Sequence, residues 1–188
     1  GALELQGWAD EAIATAQIEG EILQVNSVRA SAARRLGMAD AKALDRDART
    51  EATLDVLQAA IEQSHQPLTH DILHGWQAAL FPTGRSGIQK IRTGAYRDHA
   101  EPMQIVTPRM GKPDIVHYQA PDSVDVHAQM AQLIDWFNNS TGKTDGLVRA
   151  ALAHLWLEAI HPFEDGNGRV GRALVEMALA QDLKTDKR

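Results

Sequence analysis

The chain of 188 residues contains no cysteine. Disulfides, thiolate metal sites and thiol nucleophiles are therefore excluded. It lacks any apolar run near the ~20 residues that a membrane-spanning helix requires. No charged-then-apolar leader pattern opens it. Gly1 stands where a starting methionine would, as expected of a trimmed sequence. Aromatic residues are scarce, at 5%. An excess of positive charge is also missing. The formal net charge is −6 and the isoelectric point about 5.7, which argues against a broad electrostatic grip on nucleic acid. No internal repeat or low-complexity segment appears. These absences leave one globular domain with a substantial core, and neither a membrane nor a nucleic acid as partner.

Helical periodicity dominates what is there. Residues 8–36 read as helical, with a break near Glu19-Gly20, and Gly37 follows Arg34 and Arg35 as a helix end. Residues 45–64 form a further helix with Leu54, Leu57 and Ile61 on one face, and the charges at its start read as solvated. Thr69 is an N-cap for a helix through Leu80, with Asp71 in its first turn and Ile72, Leu73, Trp76 and Leu80 inward. His65, His70 and His74 are expected to be surface or capping residues. Residues 81–87 read as a loop by composition. Two β-prone runs, 103–106 and 115–118, flank a Pro/Gly loop and predict a hairpin. Val126, Met130, Leu133, Ile134 and Phe137 form the stripe of another core-facing helix, which starts at residues 121–123. Residues 146–160 are apolar on nearly every face, the pattern of a helix buried on all sides.

The chemistry gathers at residues 161–172, HPFEDGNGRVGR. Pro162 cannot continue the preceding helix. From Val170 the apolar positions Val170, Ala173, Leu174, Met177 and Ala178 begin a new amphipathic helix. A glycine turn at a helix N-terminus presents free N–H groups and partial positive charge, which together bind phosphate. Gly166 and Gly168 allow positive φ and close approach. Arg169 and Arg172 share one side of the helix start and suit bidentate phosphate contacts. Asp165 beside such a cradle suits Mg²⁺, which takes one or two carboxylates plus phosphate oxygens. His161 stands at the mouth, placed to take a proton from an attacking hydroxyl. The string points to a nucleotide polyphosphate and transfer of a phosphorus group to a hydroxyl.

This string resembles the signature of the Fic (Fido) family, HxFx[D/E]GNGRxxR, at His161, Phe163, Asp165, Gly166, Asn167, Gly168, Arg169 and Arg172. The resemblance implies a mainly α fold, a Fic-type helical bundle with a short β-hairpin flap over the active site. It implies a protein adenylyltransferase that moves AMP from ATP to a Ser, Thr or Tyr hydroxyl of a target protein. It assigns His161 as general base, Asp165 as the Mg²⁺ ligand, Asn167 with the loop amides to the α-phosphate, and Arg169 and Arg172 to the outer phosphates. It makes Phe163 a core anchor of the loop. The stretch TAQIEG resembles the family's inhibitory pattern [S/T]xxxE[G/N], which implies that Glu19 pairs with Arg172 and holds the protein off. The predicted hairpin, about residues 103–118, would be the flap on which a protein substrate docks.

The expected organisation is residues 1–37 as inhibitory helix and following helix, with residues 38–188 as catalytic core. The chain resembles a bacterial branch whose members carry more sequence on both sides, so it is expected to be a fragment, cytoplasmic in origin. A homodimer is left open. Removal of AMP, transfer of UMP or phosphate by the same site, and a non-enzymatic module are the competing readings. A metal hydrolase built on His154, Glu158 and His161 is another, but no HExxH motif supports it.

Overall fold

The computed structural model describes residues 7, 9, 10, 13, 14, 17, 25–35 and 48–185. Among the described residues six helices carry most of the order: α1 Val25–Arg35, α2 Ala48–Glu62, α3 His70–Leu80, α4 Ser123–Ser140, α5 Gly146–Ile160 and α6 Asn167–Thr185. A 3-10 turn, Gln63–His65, extends α2. Two short antiparallel hairpins lie between α3 and α4: β1 Arg85–Ser86 with β2 Gln89–Lys90, and β3 Gln104–Thr107 with β4 Ile115–Gln119. The fold is the mainly helical one expected. Residues 81–90 differ from the loop expected for 81–87. There Arg85 pairs with Lys90 and Ser86 with Gln89, a ladder too short to leave a periodic signal.

Local chemistry sets the helix ends. Thr69 is extended, and its hydroxyl accepts from Ile72 N at 3.2 Å. One Asp145 carboxylate oxygen accepts from both Leu147 N and Val148 N at 3.1 Å. Each bond satisfies a donor that the first helical turn leaves orphaned.

The core joins Leu73, Trp76 and Leu80 of α3, Val126, Met130, Leu133 and Phe137 of α4, Ala153, Leu157 and Ile160 of α5, and Val170, Leu174 and Met177 of α6. A smaller cluster places Ala9 and Val28 against Leu54 of α2. The helix expected to be buried on all sides is not. Helix α5 turns one face to the core and leaves Leu147 and Leu155 largely exposed, at 72% and 67%. Its packing against α4 and α6 covers only that inward face. Charged residues at the start of α2 are not all solvated either, since Glu51 pairs with Arg34 at 2.9 Å.

A buried cation ties the three C-terminal helices together. The Arg149 guanidinium donates to Phe137 O at 2.8 Å, Ser140 Oγ at 3.0 Å and Gln181 Oε1 at 2.7 Å, and lies 4.0 Å from the centroid of the Phe137 ring. The β3–β4 hairpin stands outside this core with every strand residue exposed. It is pinned where it leaves the bundle: Tyr118 Oη donates to Ala159 O at 2.6 Å, and Ala120 N to Met103 O at 2.9 Å. A register shift between Ile105 and Val106 bends it.

Candidate active site

The loop between α5 and α6 holds the sequence-predicted residues together. His161 ends α5 in the left-handed region, with φ at 50°, a conformation that a β-carbon disfavours. Buried Arg97 holds it there. Its Nε donates to His161 O at 2.8 Å, and its Nη2 donates to Pro121 O at 2.5 Å and to Ile160 O at 3.3 Å. The Arg97 backbone N donates to Pro162 O at 2.8 Å. Burial pushes the Arg97 guanidinium pKa down and Asp122 opposes that shift. Sequence reasoning missed this residue. Its only signal is an arginine inside the short connector IRTGAYR, where no periodicity marks it.

Beyond Pro162 the loop is braced from within. Phe163 is fully buried. Asn167 Oδ1 accepts from Phe163 N and its Nδ2 donates to Phe163 O, both at 2.9 Å. This two-point staple closes the loop onto the first residue of α6. Gly166 has φ at 90°, and a β-carbon there would lie 2.9 Å from the Phe81 ring, so the position needs glycine on both counts. From outside, Gln77 Nε2 donates to Asp165 O at 3.3 Å and Arg92 N donates to Glu164 Oε2 at 2.9 Å.

The charged groups gather at the N-terminus of α6. Arg169 and Arg172 are buried, and the Arg169 guanidinium lies 4.8 Å from the centroid of the Phe81 ring. Asp165 Oδ1 accepts from Gly166 N at 2.6 Å and lies 3.8 Å from Arg169 Nη2, while its Oδ2 accepts from the Ser86 hydroxyl. A cavity of about 220 Å³ opens beside them, with Arg49, Arg85 and Arg169 in its walls. Cations around a helix N-terminus favour a polyanion. On the hairpin side, a second cavity of about 220 Å³ is walled by Met103, Ile105, Tyr118, Glu158 and His161. His161 therefore faces a space bounded by the hairpin.

The carboxylate of Asp165 fits a divalent cation that brings its own ligands. Each oxygen accepts one hydrogen bond and retains lone pairs. Among the described residues no group of three or more His, Asp or Glu side chains could hold a metal. Mg²⁺ needs no such group, because phosphate oxygens and water fill most of its shell. The metal-hydrolase reading of His154, Glu158 and His161 has no such group to stand on. Glu19, expected to pair with Arg172, lies outside the described residues.

Two of the three histidines expected at the surface or in caps lie elsewhere. His65 is exposed and its Nδ1 lies 2.7 Å from Glu62 O, as a capping residue would. His70 and His74 instead pack inward. The His70 ring stacks on His127 at 4.4 Å, and His70 Nδ1 lies 2.7 Å from Tyr96 Oη. His74 meets the Tyr96 ring at 4.4 Å, and Tyr96 lies 5.4 Å from Phe163. The cluster underlies the loop anchor. Burial raises the Tyr96 pKa and lowers those of His70 and His74.

Residues 67–179 match the Fic/DOC family, and residues 2–38 match the domain of unknown function DUF4172. Among solved structures, a Fic domain containing signaling protein from Bacteroides thetaiotaomicron has a TM-score of 0.67 at 21% identity, covering 96% of this chain and 67% of that one. A Fic family protein from Desulfovibrio desulfuricans G20 has a TM-score of 0.61 at 24% identity, covering 97% and 54%. Protein adenylyltransferase fic-1 of Caenorhabditis briggsae is 46% identical over 52 residues, which is 27% of this chain and 10% of that protein. A probable protein adenylyltransferase, aq_aa38 of Aquifex aeolicus, is 41% identical over 51 residues, 27% of this chain and 15% of that protein. The matched stretches thus span only a small part of these curated relatives. Among the described residues no helix is long and apolar enough to cross a membrane. The family match spans more than half of the chain and includes the whole loop from His161 to Arg172, and this chain belongs to the Fic/DOC family.

Proposed function

We propose that this chain is a protein adenylyltransferase, moving AMP from ATP to a Ser, Thr or Tyr hydroxyl of a target protein. One observation carries the reading. His161, held in the left-handed region, faces the hairpin-side cavity at the mouth of a glycine loop that opens onto an arginine-flanked helix N-terminus. Residues 167 and 168 present the helix-start amides to phosphate, with Arg169 and Arg172 beside them. Asn167 keeps those amides in place through its staple to Phe163. Asp165 would hold Mg²⁺, which when bound screens the phosphate charge.

The step is an in-line displacement. His161 takes the proton of the target hydroxyl. That oxygen forms a bond to the α-phosphorus, the bond from phosphorus to the bridging oxygen breaks, and pyrophosphate departs with the electron pair. The product is AMP esterified to the target, and the proton remains on His161 until solvent takes it. The exposed edges of β3 and β4 offer an extended target segment main-chain pairing beside the base. Residues 1–37 are proposed as the regulatory part and 38–188 as the core, with Glu19 opposing the outer phosphates at Arg172. Relatives named protein adenylyltransferase support this reading.

The test is incorporation of α-labelled ATP with intact mass measurement. Wild type should gain label, Glu19→Gly more of it and His161→Ala none. Label in His161→Ala would remove the base assignment, and equal label in wild type and Glu19→Gly would remove the brake. No label in any variant, with ATP still bound, would refute self-transfer and favour AMP removal.

A further inference from the structure

Helix α5 carries His154, Glu158 and His161 at i, i+4 and i+7, on one side of the helix. The Glu158 carboxylate stands between the two rings. Its Oε1 lies 3.5 Å from His154 Nε2, and its Oε2 lies 3.8 Å from His161 Nδ1. The side chain as a whole is one-third exposed, yet Oε1 is closed off from solvent. Helix α6 helps to close it. A β-carbon on Gly171 would lie 3.3 Å from that oxygen and 2.9 Å from the His154 ring. Glycine at this position lets α6 approach and fixes the carboxylate's direction, with the other oxygen toward His161.

We infer that Glu158 is a positioning residue for His161, a role that rests on the transfer reaction proposed above. A carboxylate 3.8 Å from Nδ1 favours a proton on that nitrogen, because a lone pair there would face negative charge. The remaining lone pair is then on Nε2, on the other side of the ring, where it can receive the proton of the target hydroxyl. Once it does, the ring is cationic and Glu158 stabilises it. A base oriented by a third group is the recurring arrangement of activated nucleophiles. The separation is that of an ion pair rather than a hydrogen bond, and catalytic contacts of this kind tighten when substrate docks. Among the described residues, the other polar side chains lining the cavity at this ring are Gln104 and Tyr118, and Arg97 binds the His161 backbone carbonyl behind it. None of these three brings negative charge to Nδ1.

The experiment uses the whole chain with Glu158→Gln and Glu158→Ala. In the AMP-transfer assay, kcat should fall about 10²-fold in Glu158→Ala. It should fall less in Glu158→Gln, whose amide oxygen can still accept from Nδ1. The KM for ATP should stay within about twofold in both, since the phosphates are held elsewhere. Nitrogen-15 spectra of His161, identified by the signal lost in His161→Gln, read the tautomer without turnover. Wild type should carry the proton on Nδ1, and Glu158→Ala should shift it toward Nε2. An unchanged kcat in Glu158→Ala, or an unchanged tautomer, overturns the role. If wild type moves no AMP at all, the transfer reading fails separately. The spectra then decide alone, a shifted tautomer upholding Glu158 and an unshifted one refuting it.

Discussion

Replacing Arg97 with methionine tests how the candidate base is held. Arg97 is 2% exposed, and its guanidinium serves three backbone carbonyls. Methionine fills much of the same length and offers no donor. The contact to Ile160 O is long at 3.3 Å, so its loss counts for little. The carbonyls of His161 and Pro121 lose close partners in a buried site, at about 1–2 kcal/mol each. The sum is about 2–4 kcal/mol. Part of this is recovered, because the guanidinium's own desolvation disappears with it. With about 1–3 kcal/mol left, at about 2–4 °C per kcal/mol for a chain of this size, melting should drop by about 2–12 °C. The local effect should be sharper. Without its clamp, His161 can leave the left-handed region, which ordinarily costs about 1–2 kcal/mol. AMP transfer should therefore fall by more than ATP binding does. Thermal melting, ATP titration and label incorporation on one preparation check all three. Melting within 1 °C of wild type, together with unchanged transfer (a limit set by about 0.5 kcal/mol), would refute the clamp.

Two further outcomes follow from the same geometry. Gly166→Ala should weaken ATP binding and lower stability by about 1–3 kcal/mol, read by titration and melting, because φ of 90° and the Phe81 ring both oppose a β-carbon. Trimming Phe81 to leucine in that background should restore part of the loss. Acid should destabilise the fold through His70 and His74. Burial is the largest cause of the lowered pKa in each; in His70, His127 and His74 add to it and Asp71 opposes, while in His74 Asp71 opposes and His127 and Arg92 add. Protonation of both is therefore harder in the fold than in the unfolded chain, which takes up protons near 6.5. Their contribution is therefore present above pH 6.5 and lost as pH falls through the lower folded values. Melting temperature should drop between pH 7.5 and 5.5, and more steeply than in a His70→Gln, His74→Gln double variant.

The elements that local rules govern were legible in the sequence. Thr69 caps α3 as read, since an N-cap needs only its own hydroxyl and a nearby amide. The break at Pro162 and the new helix at the glycine turn follow from backbone sterics alone. The β3–β4 hairpin came within a residue or two of its expected bounds. What failed depended on partners distant in sequence. The apolar run of α5 announced burial on every side, but composition cannot say how many neighbours a helix has. His70 and His74 looked like surface residues because nothing local shows that Tyr96 and His127 pack against them. Nothing local marks Arg97 or Arg149, because the carbonyls they serve lie on other elements.

The sequence by itself determined the loop from His161 to Arg172: a proline stop, a glycine turn and a helix start, which need only short-range sterics and hydrogen bonding. It also determined the family, because those residues occur in one fixed order. Only the tertiary structure decided what holds the loop. Arg97 reaches it from 64 residues away, Gln77 from 88 and Ser86 from 79. Gly171 on α6 shapes the setting of Glu158 on α5. Such contacts depend on how the helices pack in space, and no local pattern of residues records that.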